Sequence, residues 1–298
     1  MRFFGSVPQK LGFKYGPGLF IKLQFLKFLA QDNFGHFFKH DTGNIFNQAF
    51  CIYNINAPGQ ELNAKPFASD YRFPSVDDLV KLIEDVVDYF NLKNFVGLGV
   101  GAGAHLMLRY GIRNPNEMAA LILINCVETT TGWIEWTQEK LNVELLKDIG
   151  MTKFTENYLL WHHLGHHLYV CPREEIDEFR VYFEDRPNPV NVAAFIDSYL
   201  NRSDIEINKH PCKVPVLQIV GERSAFVQDA EDLHTKLSPM ATEFLKLSGC
   251  GGNVLNEKPA KVTEALLLFL QGVGLVPWLD IHESVKKISE KFVQKSSL

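Results

Sequence analysis

Apolar positions along the chain switch between two periods. Ala49 to Ile55 is an apolar run that stops at Asn56-Ala57-Pro58-Gly59, which predicts a strand ending in a turn. Ser75-Val76-Asp77-Asp78 places a capping serine ahead of two acids, and Leu79, Leu82, Ile83, Val86, Val87 and Phe90 follow at helical spacing. Phe95 to Leu98 predicts a second strand, and Leu106, Leu108, Tyr110 and Ile112 an amphipathic helix behind it. Met118 to Asn125 is apolar without alternation, the pattern of a strand buried on both faces. Strands and helices alternating at this interval predict a doubly wound, mainly parallel α/β sheet.

The alternation then stops. From about Glu128 to Asn208 the pattern is helical, aromatic and acidic, with Trp133, Trp136, Trp161 and Pro187/Pro189 as punctuation. It resumes with Val214 to Val220 as a strand, a helix over Asp229–Leu237, a strand over Glu243–Leu247 and a helix opened by Pro259. The division that follows is an atypical basic and aromatic segment at 1–32, one domain at 33–277 with an inserted helical cap at about 128–208, and a short helical tail at 278–298. In the tail, Ile281, Val285, Ile288 and Phe292 carry the helical spacing.

Composition narrows the function classes. The 298 residues, 46% hydrophobic and 22% charged, suit one large globular domain. A formal net charge of −5 offers no electrostatic footprint for nucleic acid. Five scattered cysteines without a C-x-x-C suit a reducing compartment. No apolar run is long enough to span a bilayer, which leaves peripheral membrane association open. The first thirty residues differ, because Arg2, Lys10, Lys14, Lys22 and Lys27 meet no acid before Asp32 and phenylalanines are dense. Lys22 and Lys27 interrupt any signal-peptide core, and a mitochondrial presequence would be richer in Arg and Ser. An amphipathic segment packed on the domain fits better.

The candidate chemistry centres on Gly99-Val100-Gly101-Ala102-Gly103, between the Phe95 strand and the next helix. That strand, sharp turn and helix is the setting in which α/β-hydrolases carry G-x-S-x-G, with the nucleophile on the turn. Here the nucleophile position holds Gly101, which has no side chain. The triad order on that fold is Ser, Asp or Glu, then His. After Val220 the acid position falls on Ser224, in Gly221-Glu222-Arg223-Ser224. Counting back seven residues from Pro259 puts the histidine position on Gly252, in Ser248-Gly249-Cys250-Gly251-Gly252. General-base catalysis needs an imidazole within hydrogen-bond reach of the nucleophile, and that turn supplies none.

Other readings of these residues are weaker. Gly99-x-Gly101-x-x-Ala104 also matches a dinucleotide fingerprint, but the acid expected about twenty residues later is absent, so no cofactor is expected. His162-His163-x-x-His166-His167 would pair His162 with His166 and His163 with His167 on a helical face, as zinc or nickel ligands do. Gly165 weakens that helix and no second ligand pair is visible, so a polar cap surface accounts for the run without metal. Cys250 reads as a small buried residue.

Several of these segments together resemble one family. Asn56-Ala57-Pro58-Gly59-Gln60, Tyr71-Arg72-Phe73-Pro74-Ser75, Gly99-Val100-Gly101-Ala102-Gly103-Ala104, Leu121-Ile122-Leu123-Ile124-Asn125, Gly132-Trp133-Ile134-Glu135-Trp136, Asp204-Ile205-Glu206-Ile207, Cys250-Gly251-Gly252 and Gln271-Gly272-Val273-Gly274 resemble the N-myc downstream-regulated (NDRG) family, from about Asn33 to Pro277. The resemblance implies an α/β-hydrolase-like fold without the hydrolase's catalytic residues. It implies a mostly cytoplasmic protein tied to stress response, differentiation, signalling and trafficking. Family members begin with a strand hairpin and a central strand ending in His-Asp-x-Gly, and nothing upstream of Asn33 matches these. Two readings stay open: Leu19 to Phe25 supplies the central strand, or the N-terminus is an alternative or faulty one.

The expected function is a non-catalytic adaptor or scaffold whose cap, with Trp133, Trp136, Trp161, Glu174 and Glu175, binds protein partners. Two others remain: a module binding a small molecule or lipid head group in the residual pocket, and a hydrolase with displaced groups such as Cys126 or Glu128.

Overall fold

A computed structural model describes residues 18–24, 34, 37, 38, 43–61, 63–130, 133–185 and 188–277, with the backbone alone at 18–24, 133–139, 175, 178, 182, 184 and 185. The expected tail helix at 278–298 lies outside the described residues, as does most of 1–32.

Six strands form one sheet: β1 (Gly18–Gln24), β2 (Phe50–Asn56), β3 (Phe95–Val100), β4 (Met118–Ile124), β5 (Val216–Gly221) and β6 (Thr242–Leu247). Their order across the sheet is β2-β1-β3-β4-β5-β6 and every neighbouring pair is parallel. Side chains alternate between the faces, as the pleat requires. Phe95, Leu121 and Leu123 enter one core, whereas Val96, Leu98, Ile122 and Ile124 enter the other.

Helices cover both faces. Against the first lie α2 (Val76–Tyr89), α3 (Ala102–Arg113) and α8 (Val227–Lys236), which supply Leu79, Ile83, Leu106, Met107 and Leu233. Against the second lie α1 (Asn44–Ala49), the short α9 (Val254–Glu257) and α10 (Pro259–Gly272), which supply Phe46, Val254, Leu266 and Leu270. The expected start of α2 is found: Ser75 accepts from the Asp78 amide while Asp78 reaches back to the Ser75 amide, a reciprocal cap.

Between β4 and β5 the chain forms α4 (Trp133–Asp148), α5 (Lys153–Leu164), a 3-10 turn (Gly165–Tyr169), α6 (Arg173–Asp185) and α7 (Pro189–Leu200). These helices bury a cluster of their own, including Val143, Leu146, Leu160, Phe183 and Val192. The cap is thus a small helical body with its own apolar centre.

Of the two readings left open for the N-terminal segment, the structure contains the strand. Gly18–Gln24 lies between β2 and β3, pairing Leu19 with Cys51 on one side and with Phe95 on the other. It begins and ends one residue before the expected span. An interior strand must satisfy backbone groups on both edges, and this segment does so with two parallel ladders.

Candidate functional site

The turn between β3 and α3 places Gly101 at φ +55° and ψ −118°, while its amide donates to the Ile124 carbonyl at 2.8 Å. Only glycine adopts such a conformation without strain. A Cβ on Gly99 would lie 2.4 Å from the Gly103 carbonyl oxygen, so the crossing of strand and helix also requires glycine there. A Cβ on Gly101 would meet nothing within 4 Å. The elbow is therefore built, open above its apex, and without a side chain.

The β5 and β6 turns come together through an asparagine. Asn125, at φ +50° just after β4, donates through Nδ2 to the Gly252 carbonyl at 2.7 Å. Its Oδ1 accepts from the Ser224 hydroxyl at 3.2 Å, and that hydroxyl accepts from the Phe226 amide. Ser224 and Asn125 are both buried. The residues at the expected acid and base positions are joined by a neutral amide and a hydroxyl, which hold the turns but do not shuttle a proton at neutral pH.

The cap sits directly on the Gly252 turn. A Cβ at Gly252 would lie 2.1 Å from the His163 carbonyl oxygen, and one at Gly251 would lie 2.6 Å from the Leu164 carbonyl oxygen. Gly165, at φ +58°, packs against Arg223 and Ser224 so closely that a Cβ would stand 2.4 Å from the Arg223 carbonyl oxygen. The next amide, of His166, donates to that same oxygen at 2.7 Å. Glu257 fixes the turn from below, accepting from the amides of Gly251 at 2.6 Å and Asn253 at 3.0 Å.

This geometry corrects the expected arrangement of the histidines. α5 ends at Leu164 and Gly165 opens a 3-10 turn, so His162 and His166 do not share an α-helical face, nor do His163 and His167. The physical reason is Gly165 in the left-handed region. His162 turns its ring edge to Phe226 at 4.6 Å, and His163 packs between Phe179 and Phe183 while donating through Nδ1 to the Leu159 carbonyl. His166 is exposed, and His167 lies 3.6 Å from the Glu257 carboxylate. Burial holds His162 down at about 3 and His163 at about 4. Among the described residues no group of three or more His, Cys, Asp or Glu is placed to hold a metal.

The displaced candidates are engaged elsewhere. Burial pushes the Cys126 thiol up, away from the reactive thiolate, with Glu128 adding to the shift. Glu128 is itself buried and paired with Lys236. Glu222 is exposed, and its carboxyl is lowered by the Gly249 amide and the Ser248 hydroxyl that bond to it.

Residues that the sequence pattern did not single out hold the cap to the sheet domain. His105 is fully buried on α3, donates through Nδ1 to the Val127 carbonyl at 2.7 Å, and accepts at Nε2 from Arg109 at 2.8 Å. Burial, then the nearby Arg202 charge, hold it at about 3. Arg109 continues to the Ser203 carbonyl and hydroxyl, and Arg202 donates to the Thr129 carbonyl at 2.6 Å. Both chain connections to the cap are thus tied to the sheet domain. At the far side Asn191 of α7 bonds the Gly59 and Lys65 carbonyls and the Phe67 amide. The His105/Arg109 pair at i,i+4 was the one signal legible in advance.

Of the expected partner-binding residues, Trp161 is half-buried and Glu174 exposed, while the side chains of Trp133, Trp136 and Glu175 lie outside the described residues. No helix among the described residues is long and apolar enough to cross a membrane.

Comparison with known proteins places this architecture. Among solved structures, an esterase from Thermogutta terrifontis superposes with a TM-score of 0.71 at 18% identity, covering 87% of this chain and 91% of that one. MenH from S. aureus superposes at 0.69 with 17% identity, covering 86% and 94%. These likenesses show the α/β-hydrolase fold. Among curated proteins, Protein NDRG3 of Xenopus laevis is 31% identical over 254 residues, 82% of this chain and 66% of that protein. Protein NDRG2 of Mus musculus is 32% identical over 230 residues, 76% and 60% respectively. The chain therefore spans about two thirds or less of the length of these relatives. The Ndr family profile matches residues 26–277, and the chain belongs to that family.

Proposed function

We propose that this chain acts without catalysis, as an adaptor or scaffold of the NDRG type whose cap surface binds protein partners in cytoplasmic signalling, stress response or differentiation. The observation that carries the reading is at Gly252, where the cap backbone stands 2.1 Å from the place a side chain would begin. A histidine there would collide with the cap backbone at His163. Gly101 and Ser224 support the same reading, since neither offers a nucleophile–acid pair. The partner is a protein with a basic surface, because α6 carries six carboxylates against two arginines and its Glu174 is exposed.

Two measurements test this. Fluorophosphonate labelling and ester hydrolysis stay at background, and stoichiometric labelling of any serine overturns the reading. Affinity recovery from native cells is then compared between Glu174→Lys/Glu175→Lys and Gly101→Ser, both checked for folding. The cap variant loses partners and the elbow variant keeps them; the reverse result moves function to the elbow.

The open space over Gly101 favours a second reading, a small ligand held above the elbow. Native mass spectrometry of the purified chain separates the two, since a retained small molecule supports only the second.

A further inference from the structure

The two edges of the sheet differ in chemistry. β6 closes one side with Glu243 and Lys246 exposed, and Lys246 is paired with Glu231 of α8 at 2.8 Å. Charges of this kind keep an edge strand from pairing with another chain. β2 closes the other side with Phe-Cys-Ile-Tyr-Asn-Ile-Asn, which holds no charge, no proline and no glycine. Its residues 51–56 are half-buried. The parallel ladder to β1 uses one side of the β2 backbone. Among the described residues, no backbone group of 51–55 is bonded on the other side. Every second residue therefore presents an amide and a carbonyl outward, and an extended strand is what complements such a row.

The side chains of β2 select which strand. Tyr53 and Ile55 lie on the α2 face of the sheet, whereas Phe50 and Ile52 lie on the opposite face, which Asn54 and Asn56 share by the pleat. Asn54 donates one Nδ2 hydrogen to the Asn56 Oδ1 at 3.3 Å, which leaves a second hydrogen, and its covered Oδ1 meets no donor in the protein. An identical β2 laid antiparallel, with Asn54 opposite Asn54, supplies both groups. Once the two amides turn about χ2 to face each other, each Nδ2 donates its second hydrogen to the other Oδ1. The same register sets Tyr53 of each copy opposite Ile55 of the other, an aromatic against a β-branched residue, and Ile52 opposite Asn56. No like charges meet, because β2 has none. Phe90, 36% exposed, lies 5.3 Å from the Tyr53 ring, and Tyr89, 73% exposed, stands next to it, so apolar area flanks the strand on that face. Such a contact is reciprocal, as two-fold symmetry requires. We infer that β2 is the docking edge for β2 of a second copy of this chain, joining two six-stranded sheets antiparallel about Asn54. The cap is not involved, so the inference stands apart from the adaptor reading.

Two measurements on the purified full chain test this without any cellular partner. Sedimentation velocity over a wide concentration range is expected to show a reversible monomer–dimer equilibrium. Hydrogen exchange read by mass spectrometry is expected to slow at β2 as concentration rises, while β6 stays unchanged. Asn54→Lys and Asn54→Asp, each checked for folding by circular-dichroism melts, set like charges opposite each other and raise the dimer dissociation constant about tenfold or more. Mixed in equal amounts, the two variants pair lysine with aspartate and recover association. A chain that stays monomeric throughout, a dimer whose β2 exchange ignores concentration, or folded variants that associate no better mixed than alone overturns the inference. The exchange measurement needs no variant, so it decides the matter if either substitution unfolds the chain. None of these readouts involves Glu174 or Glu175, so this inference and the adaptor reading fail separately.

Discussion

Gly252 and His105 show how much single positions constrain this site. At Gly252 any side chain must displace the His163 carbonyl or the turn itself, an overpacking cost of about 1–3 kcal/mol. Gly252→His is therefore expected to lower the unfolding free energy by that amount without creating hydrolysis, as a urea melt alongside an ester assay reads. At His105 the effect is electrostatic. Its Nδ1 proton is committed to the Val127 carbonyl and its Nε2 lone pair to Arg109, so a second proton has no place. Its folded value of about 3 lies below the ordinary 6.5, so the unfolded chain binds the proton first. The stability it contributes is complete above about pH 6.5 and is lost as pH falls toward 3, at about 1.4 kcal/mol per pH unit. His162 and His163, also held low by burial, act in the same direction. Denaturant melts between pH 7 and 5 are expected to show this decline. His105→Gln is expected to flatten the slope by about one proton.

Among the elements, β1 is the one on which the sheet depends most. It links β2 to the rest, with ladders to β2 on one edge and β3 on the other. A proline inside an interior strand removes a ladder hydrogen bond and is tolerated only at edges or bulges. Ile21→Pro is expected to cost about 3 kcal/mol or more and to expose β2 to hydrogen exchange while β4 stays protected. Equal protection of β2 in variant and parent would show that β2 is held by something other than β1. α7 supplies the complementary restraint: one buried amide, Asn191, closes the connection between β2 and α2 by bonding three backbone groups.

For the molecule as a whole, the cap is a fixed platform and not a lid standing clear of the sheet. It is tied at the Gly252 turn by the close approach of His163, at its two connections by His105 and Arg109, and at the far side by Asn191. Restoring Gly101→Ser, Ser224→Asp and Gly252→His together is thus expected to leave ester hydrolysis at background, because the cap backbone occupies the ground that the imidazole needs. Turnover of a small ester well above background by that folded triple variant would show that the cap yields.

The strand and helix periods, the reciprocal cap at Ser75 and the glycine turn are local properties, set by neighbours within a few residues, and each was legible along the chain. The glycines at 101 and 252 and the serine at 224 were also legible, as residue types at counted positions. Tertiary structure decided the rest. It placed Gly18–Gln24 inside the sheet, a choice that depends on two ladders formed with residues far away in sequence. It broke the histidine run at Gly165, because that turn packs on Arg223 and Ser224. It also gave Asn125 its role, which requires two turns 99 and 127 residues further on to converge on one amide. Periodicity reports which face of an element is buried; only the folded chain decides what stands opposite it.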